Sequence, residues 1–372
     1  MGPGQPIPLL AGRKVRGPES ARIWIDDEPY INFVGSSYLA LQAMEELRAA
    51  ARRAIELGHP WSQMRTAAYG GADPVFGEVE VEGAAFFNCE TSVFMPTGYF
   101  CGPAAVAALQ PSFDAIFIDE LAHYSLFDAA RLSACPTFTF AHCDAGALLD
   151  AVRQHAQGSQ RPLVLTDGVF ATTGRMPPLA VYAAITADTG GRLFVDESHA
   201  YGVVGLNGRG AAEHCGANDV FHAGTLGKGF CAQGALLPCT REFAARVRSL
   251  PPVRGAGAGS PVSALVAAAA LRLAHAYPER REHLQTISQR LKTGLRGLGL
   301  EIVDTPAPIT AFRVGRKPDM LALQKSLFDD GLHVVISNYI GAGPEGVIRC
   351  ATFADHSEDD IDRFVDALRV RL

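Results

Sequence analysis

The 372-residue chain has no Cys-x-x-Cys pair among its eight cysteines, no excess of basic residues and no apolar run long enough to cross a bilayer. Each absence closes off a class of protein. The cysteines (89, 101, 135, 143, 215, 231, 239 and 350) are scattered among apolar residues, which argues against a metal framework or a disulfide set and for reduced thiols in a cytoplasmic protein. With 33 Lys and Arg against 39 Asp and Glu, the formal net charge is −6. No nucleic-acid partner is expected, because phosphate contacts need clustered cations. The most apolar run, Ala264 to Leu273, is too short and alanine-rich for a membrane span. Met1-Gly-Pro-Gly-Gln-Pro6 shows no basic stretch leading into an apolar core, so no secretory signal is expected either.

What is present is material for a large core: 48% hydrophobic and 19% charged residues. Short apolar runs alternate with longer amphipathic stretches, which predicts an α/β fold with a mostly parallel sheet covered by helices. The expected strands are 92–95, 115–118, 163–166, 192–195 and 220–223. Asp119, Asp167, Asp196 and Gly224-Thr225 directly follow four of them, and Pro96-Thr97-Gly98-Tyr99 follows the first. In open α/β sheets ligands bind beyond the carboxyl ends of the strands, so these tips should share one pocket. Pro251 to Ser260 is rich in glycine and proline and reads as a break between lobes. The expected organisation is an N-terminal segment (1–32), a large domain (33–250) and a small α+β domain (251–372). In the last, helices are expected near 262–276, 279–297 and 318–330, and strands near 300–304, 309–314, 332–337 and 347–353. A final helix should open on Ser357 with Asp360 three residues on.

Two tips carry the chemistry. Asp196-Glu-Ser-His199 follows one apolar strand, and Thr225-Leu-Gly-Lys228-Gly-Phe230 follows another. A lysine between glycines, in a stretch without other charge from Thr225 to Thr240, is suited to forming an imine with an aldehyde cofactor. Alone, Lys228 would read as a solvated loop lysine, the commoner case. Asp196 changes the weighing, since pyridoxal phosphate (PLP) works as an electron sink when a carboxylate keeps its pyridine nitrogen protonated. His199 either donates to the cofactor's phenolic oxygen or is a satisfied core histidine. The glycines at 202, 205, 208 and 210 come too late in the chain for a dinucleotide fingerprint and read as a tight surface excursion.

These residues resemble the α-oxoamine synthases, PLP enzymes of the aspartate-aminotransferase-like fold type I. The family signature Asp-(Asp/Glu)-(Ala/Ser)-His-x-x-Gly-x-x-Gly-x-x-Gly-Arg-Gly is matched at 196–210 and its Thr-x-Gly-Lys-Gly-Phe at 225–230. The resemblance runs from about Asn32 to the C-terminus. It implies catalytic roles for Lys228, His199 and Asp196, and a cofactor site completed by His123 in Asp119-Glu-Leu-Ala-His123-Tyr-Ser-Leu, by the phosphate turn Thr97-Gly98-Tyr99, and by Asp167, Thr225 and Ser260. It implies Arg349 for the amino-acid carboxylate, with Ser36 and Tyr38 nearby. Some positions depart from the family: Ser36 and Ser37 replace an Asn-Asp, Ala171 replaces a serine, Gly102 an asparagine and Phe76 a histidine. Gln63 to Gly71 stands in place of a Gly-Ser-rich run, and Gly257 to Gly259 in place of a Ser-Thr-Ser by which a neighbouring subunit commonly reaches the phosphate. Within the family, 118–131 and 196–199 resemble most the quorum-sensing autoinducer synthases that make α-hydroxyketones.

The resemblance therefore implies a homodimer with its site at the subunit interface, condensing a small amino acid with an acyl-CoA or carrier-protein thioester and releasing carbon dioxide. The competing expectations are another fold type I reaction (transamination, retro-aldol cleavage or decarboxylation) and an inert partner subunit. Phe33, Phe76, Tyr99 and Tyr339 are candidates to line an acyl channel, although aromatics at such spacings are more often core.

Overall fold

Strands buried on both faces read as unbroken apolar runs, and Ala115–Asp119 and Pro162–Asp167 are buried at every position. In the computed structural model, which describes residues 9–63, 71, 74–156, 158, 160–257 and 259–372, they lie at the heart of a seven-stranded sheet. Its order is Thr91–Met95, Ala235–Cys239, Val220–Thr225, Arg192–Asp196, Pro162–Asp167, Ala115–Asp119, Thr137–Phe140. Only Ala235–Cys239 runs antiparallel to its neighbours; the other ladders are parallel.

Alternate side chains of these strands feed two cores. Phe117, Val164, Leu193 and Val195 join Leu148, Tyr182, Ala267 and Ala270 on one face. Ile116, Ile118, Leu163, Leu165 and Phe194 join Val106, Leu126 and Val247 on the other. The helix Pro261–Ala276 therefore packs on the large sheet's core, as its Ala267, Ala268 and Ala270 show.

A third core gathers Leu291, Leu327, Ile348, Phe364 and Leu368 from helices Pro278–Gly297, Lys317–Asp329 and Glu358–Arg369 and the strand Val347–Ala351. The last helix starts where the sequence places it: Ser357 Oγ accepts the Asp360 amide at 3.2 Å and Asp360 Oδ2 accepts the Ser357 amide at 3.0 Å. The N-terminal strands Arg22–Ile25 and Glu28–Asn32 attach here, through a parallel pairing of Ile31 with Leu332 and Asn32 with His333.

Several expectations need correction. Residues 300–304 form no strand, because no neighbouring chain offers them a ladder. The expected strand 332–337 is two, Leu332–His333 and Val335–Ser337, which pair in different sheets. Pro251–Gly255 is a helical turn rather than an open break, started by prolines that supply a helical φ. Phe33 and Phe76 are core: Phe33 stacks on His356 and lies tilted against Phe364, and Phe76 packs near Phe94.

Candidate active site

The register of the sheet brings the expected tips together. Asp167 pairs with Asp196, and Ala235 faces both Thr225 and Met95, so Asp119, Asp167, Asp196, Thr225 and the 96–99 turn share one edge.

Lys228 sits on a loop fixed from several sides. Thr225 Oγ1 donates to the Gly234 carbonyl and accepts the Gly227 amide, both at 3.1 Å, and the Cys231 amide donates to the Lys228 carbonyl at 3.0 Å. Gly229 lies so close to the Tyr201 carbonyl that a Cβ would stand 2.2 Å from it. Among the described residues the Lys228 ammonium has neither a hydrogen bond nor an ion pair. Burial pushes its pKa down to about 8; Asp196 and Asp167 oppose that fall and Arg349 adds to it.

Asp196 Oδ1 accepts the Ser198 amide at 2.9 Å, and its Oδ2 has no partner among the described residues. Asp167 Oδ2 accepts the His123 amide at 2.8 Å. Burial, and next to it the charge of Asp196, holds the Asp167 carboxyl well above the usual carboxylate range. His123 caps the helix Tyr124–Ser133: its Nδ1 accepts the Ser125 amide at 3.2 Å, which leaves the ring proton on Nε2. Burial lowers its pKa, with Lys228 acting in the same direction and Asp196 against it. Tyr99 and Tyr339, both partly exposed, stand around this ring at centroid distances of 6.0 and 6.4 Å.

A relay backs the site. Arg349 donates through Nε to the Ala171 carbonyl at 2.8 Å, through Nη1 to the Gly35 carbonyl at 3.2 Å, and through Nη2 to the Tyr38 hydroxyl at 3.4 Å. Three of its five N–H groups are thus engaged and two remain. The Tyr38 hydroxyl lies 2.7 Å from His199 Nδ1. With Arg349 donating to the phenolic oxygen, Nδ1 is the acceptor within reach of the phenolic proton, and donation to it puts the proton of a neutral His199 on Nε2. Burial keeps His199 neutral, its pKa well below the ordinary 6.5, helped by Lys228, Arg349 and His123. Tyr38 itself is fully buried and its pKa is pushed up to about 12, chiefly by burial.

Gly98 opens the helical segment that continues through Cys101–Leu109. A Cβ on Gly98 would meet Thr225 Cβ at 2.7 Å, so the turn presses directly on the strand tip. The amides of Gly98 and Tyr99 have no protein partner among the described residues, and the Thr97 side chain makes no cap. That is an anion-binding arrangement. The Tyr99 hydroxyl is turned away, donating to Asp128. Thr225 has spent its proton on Gly234 and serves the loop. Ser260 Oγ caps helix Pro261–Ala276 by accepting the Ser263 amide, next to Gly259, which lies against Pro96. Ser36 follows the Gly35 carbonyl held by Arg349. The segment 64–70 and Ala258, within the two stretches that depart from the family, lie outside the described residues.

Sequence reasoning missed Glu197. It is fully buried and accepts the amides of Ala211 and Ala212, each at 2.8 Å, which closes the glycine-rich excursion; burial pushes its pKa up to about 7. The excursion is consequently not a surface feature throughout: Tyr201 to Gly205 are buried and only its tip at Leu206 and Asn207 is exposed. An acid in the middle of a strand-tip motif, followed by four glycines that need an anchor, was the available signal.

A desolvated amine without a partner, a carboxylate with one unspent oxygen, an imidazole face and two unpaired amides match the aldehyde, pyridine nitrogen, ring and phosphate of PLP group for group. The comparisons agree. The model of the family described as aminotransferase class I and II matches residues 28–368. An 8-amino-7-oxononanoate synthase of Geotalea daltonii is 32% identical over 96% of this chain and 92% of its own. A solved serine palmitoyltransferase of Sphingomonas wittichii superposes with a TM-score of 0.88 over 97% of this chain and 92% of its own, at 23% identity. A structure of SPT with PLP superposes with a TM-score of 0.89 at 22% identity, covering 97% and 92% of the two chains. The likeness to the solved structures shows the PLP fold type I architecture.

Proposed function

Since the chain belongs to the aminotransferase class I and II family and, within it, to the α-oxoamine synthases, we propose that it is a PLP-dependent acyltransferase condensing a small amino acid with an acyl thioester. Carbon dioxide is lost and an α-aminoketone is formed. The observation that carries this reading is the partner-free, desolvated Lys228 within electrostatic reach of Asp196, which keeps one unspent oxygen, and of Arg349, which keeps two free N–H groups.

When bound, PLP supplies an aldehyde that captures an amine and a ring that takes up the electron pair released at the substrate α-carbon. Lys228 would hold the aldehyde, Asp196 the pyridine nitrogen, His123 the ring face, and the amides of Gly98 and Tyr99 the phosphate, within a frame kept by Thr97, Thr225 and Asp167. The two remaining N–H groups of Arg349 clasp the amino-acid carboxylate, with Ser36 beside them. Lys228, with a pKa of about 8, is free base in about a tenth of molecules at pH 7 and accepts the α-proton. His199 donates its Nε2 proton in a hydrogen bond to the thioester oxygen as negative charge grows there. The new carbon–carbon bond joins the α-carbon to the acyl carbon, the carbon–sulfur bond breaks, and the sulfur leaves as a thiolate that takes its proton from water. The carboxylate then departs from Arg349 as carbon dioxide, and the α-carbon regains a proton from Lys228.

The same reading takes the enzyme as a cytoplasmic homodimer with its site at the subunit interface, Ser260 reaching across, and the donor as acyl-CoA or a carrier-protein thioester. The absence of a helix long and apolar enough to cross a membrane, among the described residues, agrees with a water-borne reaction. The test is a panel of amino acids and acyl-CoAs given to the holoenzyme. Thiol release matched by an equal amount of carbon dioxide, and dependent on both substrates, is expected. Turnover that needs a keto acid and no thioester would identify a transaminase instead.

A further inference from the structure

The segment between strand Glu28–Asn32 and helix Glu45–Glu56 meets the reaction centre at three places. The Gly35 carbonyl accepts from Arg349 Nη1 at 3.2 Å, and the Tyr38 hydroxyl lies 2.7 Å from His199 Nδ1. The thiol of Cys231, whose amide holds the Lys228 carbonyl, is buried against Ser37, Leu41 and Gln42. Yet residues 33–37 belong to no strand or helix, so neither a ladder nor a helical turn fixes the backbone there.

A carboxylate from outside the segment fixes it instead. Glu19 Oε1 accepts the Ser36 amide, and it accepts the Ser37 amide at 3.3 Å. Among the described residues neither amide has another acceptor. Gly35 leaves room for the acid: its φ is +128°, and a Cβ there would stand 1.9 Å from Glu19 Oε1. Glu19 is itself held in place. Gln42 Nε2 donates to the Glu19 carbonyl at 2.9 Å and to Ser37 Oγ at 3.1 Å. On the next two residues, Asn32 Nδ2 donates to the Ser20 carbonyl at 2.9 Å and the Ala21 amide donates to Asp355 Oδ1 at 3.0 Å. The charge of Glu19 also reaches the site. Burial raises the pKa of the Tyr38 phenol and of the Cys231 thiol, and Glu19 adds to the rise at both, which favours the protonated phenol that donates to His199.

We propose that Glu19 is a positioning residue for the amino-acid substrate: by holding the Ser36 and Ser37 amides it sets the Gly35 carbonyl against Arg349, and so aims the two free N–H groups of Arg349 at the substrate carboxylate. The inference rests on Arg349 as the carboxylate clasp and adds the residue that keeps the clasp oriented. A guanidinium recognises a carboxylate through a planar fork, so the tilt of its plane decides how well it binds. The Ala171 carbonyl pins Nε and the Gly35 carbonyl pins Nη1. Without the second pin the plane is free to turn about the first. Glu19 thus acts through the loop and never touches the substrate.

The test is a titration of the holoenzyme's visible band with L-alanine and with L-alaninol, in which a hydroxymethyl group replaces the carboxylate. The wild type should bind L-alanine more tightly. Glu19→Ala should weaken L-alanine by about tenfold and leave L-alaninol unchanged, because only the carboxylate meets Arg349. Glu19→Gln keeps an oxygen for the two amides and should bring L-alanine back to within about threefold of the wild type. Gly35→Ala should reproduce the loss by displacing the carboxylate rather than removing it. In steady state the Glu19→Ala defect should fall on KM for the amino acid far more than on kcat. A wild type that does not distinguish the two probes, or a Glu19→Ala variant with the wild-type preference, overturns the proposal. So does an equal weakening of both probes, which would mark a general loosening of the fold. No thioester takes part in the titration, so the two readings fail separately. An enzyme that shows this preference and never releases thiol would sink the condensation alone, whereas a condensing enzyme indifferent to Glu19→Ala would sink this inference alone.

Discussion

Tyr38→Phe removes one hydroxyl and nothing else from a ring that is fully buried. The ring packing is kept, and so is the contact surface with the core. What disappears is the donor to His199 Nδ1 at 2.7 Å and the acceptor that Arg349 Nη2 reaches at 3.4 Å. A buried acceptor left without its donor costs about 1–3 kcal/mol, and that is the expected loss of unfolding free energy. The kinetic effect follows from the tautomer. In the wild type the phenolic proton fixes the imidazole lone pair on Nδ1 and the proton on Nε2, facing the site. Without it, a bias of about 1.4 kcal/mol is lost, which takes the Nε2 tautomer from about nine-tenths to about half of the molecules and costs about twofold in kcat/KM if only those are productive. Nitrogen-15 NMR of labelled histidine reads the tautomer directly, alongside steady-state rates and urea unfolding. The cofactor's visible band should persist in the variant, since Lys228 and Asp196 are untouched. A wild-type His199 protonated on Nδ1, or a variant with unchanged tautomer and unchanged rate, would refute the relay.

Other outcomes follow from the buried titratable groups. Uptake of PLP by the apoprotein should accelerate with pH up to about 8 and then level off, because only the free amine of Lys228 reacts and its pKa falls from 10.5 to about 8; an acceleration continuing past pH 10 would place the reactive lysine in solvent. His222 and His356 are held neutral by burial with pKa values lowered from 6.5 to about 4. Their unfolded forms take protons as pH drops below 6.5 while the folded forms do not, so stability present above 6.5 should decline toward pH 4, by up to about 3 kcal/mol for each; a flat urea midpoint across that window would contradict it. Glu197→Ala leaves the Ala211 and Ala212 amides without their acceptor and should cost roughly 2–5 kcal/mol of stability. Hydrogen exchange should locate the loosening at 202–212, and protection there equal to the wild type would show that the clamp is idle.

The strand tips were legible because parallel strands buried on both faces leave an unmistakable apolar run, and because each run ends where the chain must meet a polar ligand. Asp167, Asp196 and Lys228 were found in this way, and the structure brings them within electrostatic reach of one another. The strand Ala235–Cys239 was not anticipated, since it carries Pro238 and owes its place to antiparallel pairing on either side rather than to its own pattern. Residues 300–304 misled for the opposite reason: they look like a strand, but a strand also needs a neighbour. The tie between Tyr38 and His199 spans 161 residues, and no local pattern reveals which nitrogen the phenol will face.

The most direct measurement is the site of cofactor attachment. Borohydride reduction of the holoenzyme, followed by peptide mapping, should fix the phosphopyridoxyl group on Lys228 alone and abolish the visible band. A label on another lysine, such as the buried Lys292 whose pKa is also lowered to about 8, or a protein that takes up no PLP, would contradict the account.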